Sequence, residues 1–282
     1  MTLEECVRKG EALLRTGPHP GRARADAELL LRHLLQRDRA AVLARWKERL
    51  AEDEQAHYSE LLKRRLTGEP VQYILGETEF HGLPLRVTRD VLIPRPETEH
   101  VVEKAAGLAS RVAQPRIVDV GTGSGAIAIA LAAALPAAQI TAIDMSGPAL
   151  EIAKENAARN HVADRIRFLR GDLLSPVAGE CFDMVASNPP YVSRSEISTL
   201  EVEVRDFEPE LALFAGDDGL AIYRRLIPAA HRSLVPGGAL VLEIGYGQAE
   251  ALCALLAENR FERVEFTADL QGIPRVVSSL RV

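Results

Sequence analysis

Apolar positions over the first quarter of the chain recur at helical intervals, whereas from Pro115 onward they fall into short runs separated by helical stretches. Thr2 and Glu5 form a capping-box pattern ahead of Leu3, Val7 and Leu14. Gly17-Pro18-His19-Pro20-Gly21 breaks the chain, and a second stripe runs through Ala27, Leu30, Leu31, Leu34 and Leu35. Ala41–Trp46 and Tyr58–Leu66 supply two further segments, so residues 1–67 read as a small bundle of short amphipathic helices. From Val71 the stretch VQYILGETEFHGLPLRV mixes aromatic and β-branched residues with Gly76 and Gly82, which predicts a hairpin or short strand pair. Two prolines in Leu92-Ile93-Pro94-Arg95-Pro96-Glu97-Thr98-Glu99 then set an extended approach to a new helix. The expected organisation is a helical domain over 1–70, a hairpin linker over 71–96 and a larger domain over 97–282.

In that larger domain strands are expected at Ile117–Val120, Gln139–Ile143, Ile166–Leu169, Cys181–Ala186, Ala239–Ile244, Phe261–Phe266 and Val276–Leu280. Helices are expected at Ala126–Leu135, Leu150–Asn160 and Leu220–Leu234, with a turn at Pro236-Gly237-Gly238. Alternation at this spacing predicts an α/β fold, a parallel-dominated sheet with helices on both faces.

Composition narrows the function. The net charge is −6, and residues 1–70 carry 14 Lys+Arg against 12 Asp+Glu while the remainder carries 20 against 28. An acidic body argues against an enzyme that grips long nucleic acid by its phosphates. A mildly basic front segment suggests a docking module joined to a catalytic one. Cys6, Cys181 and Cys253 are scattered, no His stands at ligand spacing, and no metal is expected. His33 and His57 have no evident partners. No apolar run approaches a membrane span and Met1–Gly10 lacks signal-peptide order, so a cytoplasmic protein is expected.

Asp119-Val120-Gly121-Thr122-Gly123-Ser124-Gly125 ends one strand and opens a helix. Such a loop lets a ligand lie against the main chain at a helix N-terminus, and both dinucleotides and the adenosyl cofactor of methyl transfer use it. Asp119 favours the cofactor carrying ammonium and sulfonium charges over one carrying a pyrophosphate, and it can equally cap the turn. Asp144 ends the next strand, where an acid can accept from ribose hydroxyls. Asp172 and Leu173 end the one after, where an acid can receive an adenine amino group and an apolar side chain can cover the ring.

Ser187-Asn188-Pro189-Pro190-Tyr191 ends a fourth strand on the same edge. A planar –NH2 is a poor nucleophile because its lone pair is delocalised. The Asn188 side-chain oxygen and the Pro189 carbonyl can accept its two N–H groups, aim the lone pair and stabilise the charge that develops. Pro189 and Pro190 stiffen the loop, and Tyr191 offers a flat face for stacking.

With these residues the chain resembles the HemK/PrmC family, the N5-glutamine methyltransferases of class I peptide chain release factors. Gly68-Glu69-Pro70-Val71-Gln72-Tyr73-Ile74, the Leu92–Glu99 segment, the glycine loop and the Asn-Pro-Pro-Tyr tetrapeptide carry the resemblance. So do Phe207-Glu208-Pro209, Gly216-Asp217-Asp218-Gly219-Leu220 and Gly272-Ile273-Pro274-Arg275. The resemblance implies a seven-stranded Rossmann-like class I methyltransferase sheet behind a helical substrate-docking domain. It implies S-adenosylmethionine as cofactor, S-adenosylhomocysteine as product and class I release factors as protein substrates, with no direct nucleic acid and no membrane. Gly121, Thr122, Gly123, Ser124, Gly125 and Asp144 would hold the cofactor, with Asp172 and Leu173 at the adenine. Asn188, Pro189, Pro190 and Tyr191 would grip the glutamine amide of a Gly-Gly-Gln loop, with Asn188 also at the cofactor. Leu173 stands where some relatives place an aromatic residue, and Glu243-Ile244-Gly245 matches a family element with an expected structural role. The alternatives are a methyltransferase acting on adenine N6 or guanine N2, a nicotinamide-dependent oxidoreductase and a non-catalytic binding protein.

Overall fold

The computed structural model describes all 282 residues. Helix α1 (Leu3–Leu14) begins where the Glu5 amide donates to Thr2 Oγ1 (3.2 Å) and the Thr2 amide donates to Glu5 Oε2 (2.9 Å). This reciprocal cap satisfies two amides the first turn leaves without helical partners and stabilises the helix by about 1 kcal/mol. Helices α2 (Ala23–Leu35), α3 (Arg39–Ala44), α4 (Glu52–Leu66) and α5 (Val71–Leu75) follow. Leu3, Leu30, Leu31, Val42, Leu61 and Leu62 lead a single core among them.

The strand expected at Val71–Leu75 is a helical turn instead. The Gly76 amide closes it on the Gln72 carbonyl (2.8 Å), and Ile74 is buried in the helical core. Packing has overridden the β-branched and aromatic composition. The hairpin is confined to β1 (Glu77–Phe80) and β2 (Leu83–Arg86), turning at His81 (φ 51°) and Gly82 (φ 73°), the positive-φ pair that a two-residue hairpin requires.

Helix α6 (Glu99–Ala109) precedes the main sheet. Its elements run β3 (Arg116–Val120), α7 (Ala126–Ala134), β4 (Gln139–Asp144), α8 (Gly147–Arg159), β5 (Ile166–Arg170) and β6 (Phe182–Ser187). Helices α9 (Val202–Phe207) and α10 (Ala221–Ser233), β7 (Leu234–Glu243), α11 (Ala249–Glu258), β8 (Phe261–Ala268) and β9 (Pro274–Arg281) complete it. Strand order is β5-β4-β3-β6-β7-β9-β8, with β9 antiparallel to both neighbours and the other pairings parallel. Alternate strand residues face opposite ways. Ile117, Ala186 and Val241 pack with α6 and α7, while Val118, Val185 and Leu240 pack with α10 and α11. The expected turn at Pro236-Gly237-Gly238 lies inside β7: Leu234 pairs Phe182 and Ala239 pairs Met184, so five residues of β7 span a two-residue step of β6. The breaker residues make a bulge rather than an end.

The chain divides into two compact units, Met1–Glu77 with Glu201–Phe207, and Thr78–Leu200 with Glu208–Val282. Helix α9 therefore joins the helical unit although it lies within 97–282. Arg65, 2% exposed, donates to Asp26 Oδ2 (2.6 Å) and the Glu69 carbonyl (3.0 Å) and pairs with Glu203 Oε1 (2.5 Å), which ties the distant segment in. Within the second unit, buried Asn156 of α8 binds the hairpin through the Arg86 amide and carbonyl and the glycine loop through the Ser124 carbonyl. No helix is long and apolar enough to cross a membrane.

Candidate active site

The chain reverses its direction of winding between β3 and β6, and in open α/β sheets that switch point, at the carboxyl ends of the strands, is where ligands bind. A cavity of about 1010 Å³, open mouth included, lies there. Gly121, Gly123, Asp144, Asp172, Leu173, Asn188, Pro189 and Pro190 all line it. The structure thus brings together eight of the residues singled out from sequence.

Four others serve beside the cavity rather than in its wall. Thr122 Oγ1 donates to Asp119 Oδ2 (2.6 Å), and the Ser124 carbonyl accepts from Asn156 (2.9 Å). A Cβ on Gly125 would lie 2.8 Å from Ile129 Cδ1 and 3.2 Å from Ala153 Cβ, so that glycine lets α7 approach α8. Gly121 and Gly123 have positive φ and nothing within 4 Å of a notional Cβ, which leaves open space over the loop. Tyr191 turns away into the protein and donates to Glu243 Oε1 (3.1 Å); burial and then Glu243 push its hydroxyl pKa upward.

The acids differ in what holds them. Asp119 is fully buried, and its Oδ2 accepts from Thr122 and from the Ala128 amide (3.2 Å), so it caps the turn. Its Oδ1 has no partner, and burial lifts its pKa to about 7. Asp144 accepts from the Gly123 amide (2.8 Å) and the Ser146 amide (2.9 Å), one on each oxygen. Asp172 pairs one oxygen with Arg225, while its buried Oδ1 has no partner. Leu173 sits at φ 50°, a left-handed conformation that strains a branched residue by on the order of 1 kcal/mol.

Asn188 sits at the end of β6, where buried Ser187 Oγ donates to the Val120 carbonyl (2.6 Å) and clamps the strand end to β3. Asn188 Nδ2 donates to Thr98 Oγ1 (3.1 Å), which donates in turn to Glu243 Oε2 (2.5 Å). Thr98 and Glu243 are 3% and 2% exposed, so this chain of bonds is dry. Burial raises the Glu243 carboxyl to about 7 against the opposing pull of Thr98 and Tyr191. The Glu243 carbonyl accepts from Tyr223 (2.8 Å). The sequence showed Thr98 and Glu243 only as members of two motifs, without a link between them. Val91, Leu92, Leu211, Phe214 and Ile222 also line the cavity and were not singled out as site residues, since scattered apolar residues carry no local signal.

Residues 5–76 match the family described as PrmC N-terminal domain, and residues 104–204 match the methyltransferase small domain. The release factor glutamine methyltransferase of Koribacter versatilis is 43% identical over 98% of both chains. That of Deinococcus radiodurans is 40% identical over 100% of this chain and 99% of its own. Among solved structures, a ribosomal protein L11 methylase from Lactobacillus delbrueckii subsp. bulgaricus superposes with a TM-score of 0.51 at 22% identity, covering 70% of this chain and 86% of that one. The hMettl16 catalytic domain, solved with an RNA hairpin, gives 0.57 at 17% identity and 81% coverage of each. These two show the shared methyltransferase fold. With identity above 40% sustained along the whole chain, this protein belongs to the release factor glutamine methyltransferase family.

Proposed function

We propose that this enzyme methylates the side-chain amide nitrogen (N5) of the glutamine in the Gly-Gly-Gln motif of class I peptide chain release factors. The observation that carries the reading is the orientation of Asn188 at the cavity wall. Its Nδ2 is spent on Thr98, which leaves Oδ1 to accept from a substrate N–H beside the Pro189 carbonyl. Two acceptors on adjacent residues match the two N–H groups of one carboxamide. They hold the nitrogen lone pair on line and favour the positive charge that grows during attack. The methylated nitrogen becomes strongly acidic and releases its proton afterwards, so no base is needed beforehand.

S-adenosylmethionine supplies the methyl group on an electrophilic sulfonium. The cavity fits that cofactor on its own features. Asp172 Oδ1 is a buried acceptor without a partner, suited to an adenine amino group. Asp144 keeps further lone pairs for ribose hydroxyls, Leu173 covers a ring face, and the space over Gly121 and Gly123 admits a ligand against the main chain. Tyr191 acts from behind the wall through Glu243, in place of stacking on the substrate. The helical unit is the docking module for the release factor, and the protein works in the cytoplasm without direct contact to nucleic acid.

The test is methyl transfer from labelled S-adenosylmethionine to a purified release factor, to its Gln→Ala variant and to deproteinised nucleic acid. Label on the intact factor alone is expected. Label on nucleic acid would move the reading to adenine N6 or guanine N2, which the same two acceptors also fit.

A further inference from the structure

Asn188 is a symmetric-looking side chain with opposite ends. One end donates and the other accepts, and a rotation of 180° exchanges them with almost no change in shape. The substrate amide needs the accepting end, so something must fix the rotation. We propose that Glu243, acting through Thr98, sets which end of Asn188 faces the substrate. The inference rests on the role given to Asn188 above.

Hydrogen-bond polarity decides the rotation. An ionised carboxylate has no proton to give. Glu243 accepts on Oε2 from Thr98 and on Oε1 from Tyr191, so both oxygens are engaged by donors. Thr98 has a single hydroxyl proton, and the 2.5 Å bond to Glu243 commits it. What remains on Thr98 Oγ1 is lone pairs, and the only end of Asn188 that can meet a lone pair is Nδ2. Oδ1 is thereby left as the end that can accept from the substrate. If Glu243 takes a proton it can donate to Thr98, whose own proton is then free to turn toward Asn188. The carboxamide gains by rotating, and its donating end meets the substrate N–H groups. Glu243 and Thr98 are positioning residues: neither lines the cavity. The array is assembled from three places far apart in sequence, the turn before α6, the end of β6 and the end of β7.

The charged and titratable groups around Glu243 are few. Tyr191 and Tyr223 face it as neutral hydroxyls, Glu97 raises its pKa and Arg275, itself paired with Asp269, lowers it. Since burial leaves the Glu243 pKa near 7, the competent, ionised form is lost as pH falls through neutrality.

Three variants and three readouts test this. Thr98→Val keeps the shape and removes both links, while Thr98→Ser keeps the hydroxyl. Side-chain amide NMR reads the protection of the Asn188 Nδ2 protons without any substrate; protection is expected in the native protein and in Thr98→Ser and lost in Thr98→Val. In methyl transfer to the release factor, Thr98→Val is expected to lower kcat on the order of 10- to 100-fold with cofactor Kd close to native, while loss of a buried donor to Glu243 lowers Tm. Thr98→Ser should stay within about threefold, the expected scale for a retained link. The native enzyme is expected to lose kcat as pH falls below 7, and Glu243→Gln to abolish that fall. The proposal is overturned by unchanged Asn188 protection in Thr98→Val, by native kcat in that variant, or by Thr98→Ser behaving like Thr98→Val. An enzyme that leaves the release factor unlabelled but shows the expected protection pattern would remove the glutamine reading and keep the orientation mechanism.

Discussion

The two units of the molecule each bury charge, and two of those sites do so by opposite means. In the helical unit, Arg65 lies between Asp26 and Glu203, so a cation inside the protein is met by anions and by the Glu69 carbonyl. In the sheet unit, Glu243 is as deeply buried, yet its two direct side-chain partners are the hydroxyls of Thr98 and Tyr191. The first arrangement sets opposite charges against each other, with Arg22 also on Glu203, and joins two stretches of chain more than 130 residues apart. The second leaves a carboxylate poised between charge states and linked to a side chain in the cavity wall. Burial alone therefore does not mark a functional acid; what distinguishes the two is whether an opposite charge closes the account.

That contrast is open to direct attack. The largest effect should come from Arg65→Ala, which leaves buried Asp26 without its counter-ion and Glu203 with only Arg22 (3.8 Å) and His19 (3.3 Å) beside it, and is expected to remove about 3–5 kcal/mol of stability. Denaturant unfolding measures it, and a loss under 1 kcal/mol would mean that the cluster relaxes into water. Next is Asn188→Ala, expected to lower kcat by about 10²–10³ while cofactor affinity changes little, because the contact removed matters most in the transition state. Kinetics at saturating cofactor, set beside calorimetric binding, separate the two quantities.

Glu243→Gln addresses the other half of the comparison through pH. The folded pKa of Glu243, about 7, lies above its unfolded value near 4.5. Its contribution is fully present below the unfolded value and is lost as pH rises through the folded one. The variant, neutral at every pH, should therefore gain on the native protein between pH 5 and pH 8, by on the order of 1–3 kcal/mol. Asp119, whose pKa is raised in the same direction, is common to both proteins and drops out of the difference. An equal gap at the two pH values would show that Glu243 does not titrate. The smallest effect belongs to Tyr191→Phe. Loss of one donor to Glu243 should cost about 1 kcal/mol and move the acid limb of the kcat profile to higher pH.

Much of the sheet was legible along the chain. Ile117–Val120, Gln139–Ile143 and the glycine loop between them announce a strand, a strand and a ligand-facing turn, because runs of buried residues and breakers act locally. Val71–Leu75 and Pro236-Gly237-Gly238 were misread for the converse reason. The first has strand-like residues that a helical core absorbs, and the second has turn residues that a neighbouring strand accommodates as a bulge. For Tyr191, the tetrapeptide gave no sign that its hydroxyl would be held by Glu243, 52 positions away.

The sequence by itself determined that a doubly wound sheet would carry Gly121, Asp144, Asp172 and Asn188 on one edge, since periodicity and strand-end position depend on neighbours a few residues away. Only the tertiary structure decided that Thr98 would stand between Asn188 and Glu243, and that α9 would join the helical unit through Arg65. Those pairings span 90 to 145 positions. A hydrogen bond or ion pair at that separation leaves no periodic trace in the chain, because its geometry exists only once the sheet has brought the strand ends together.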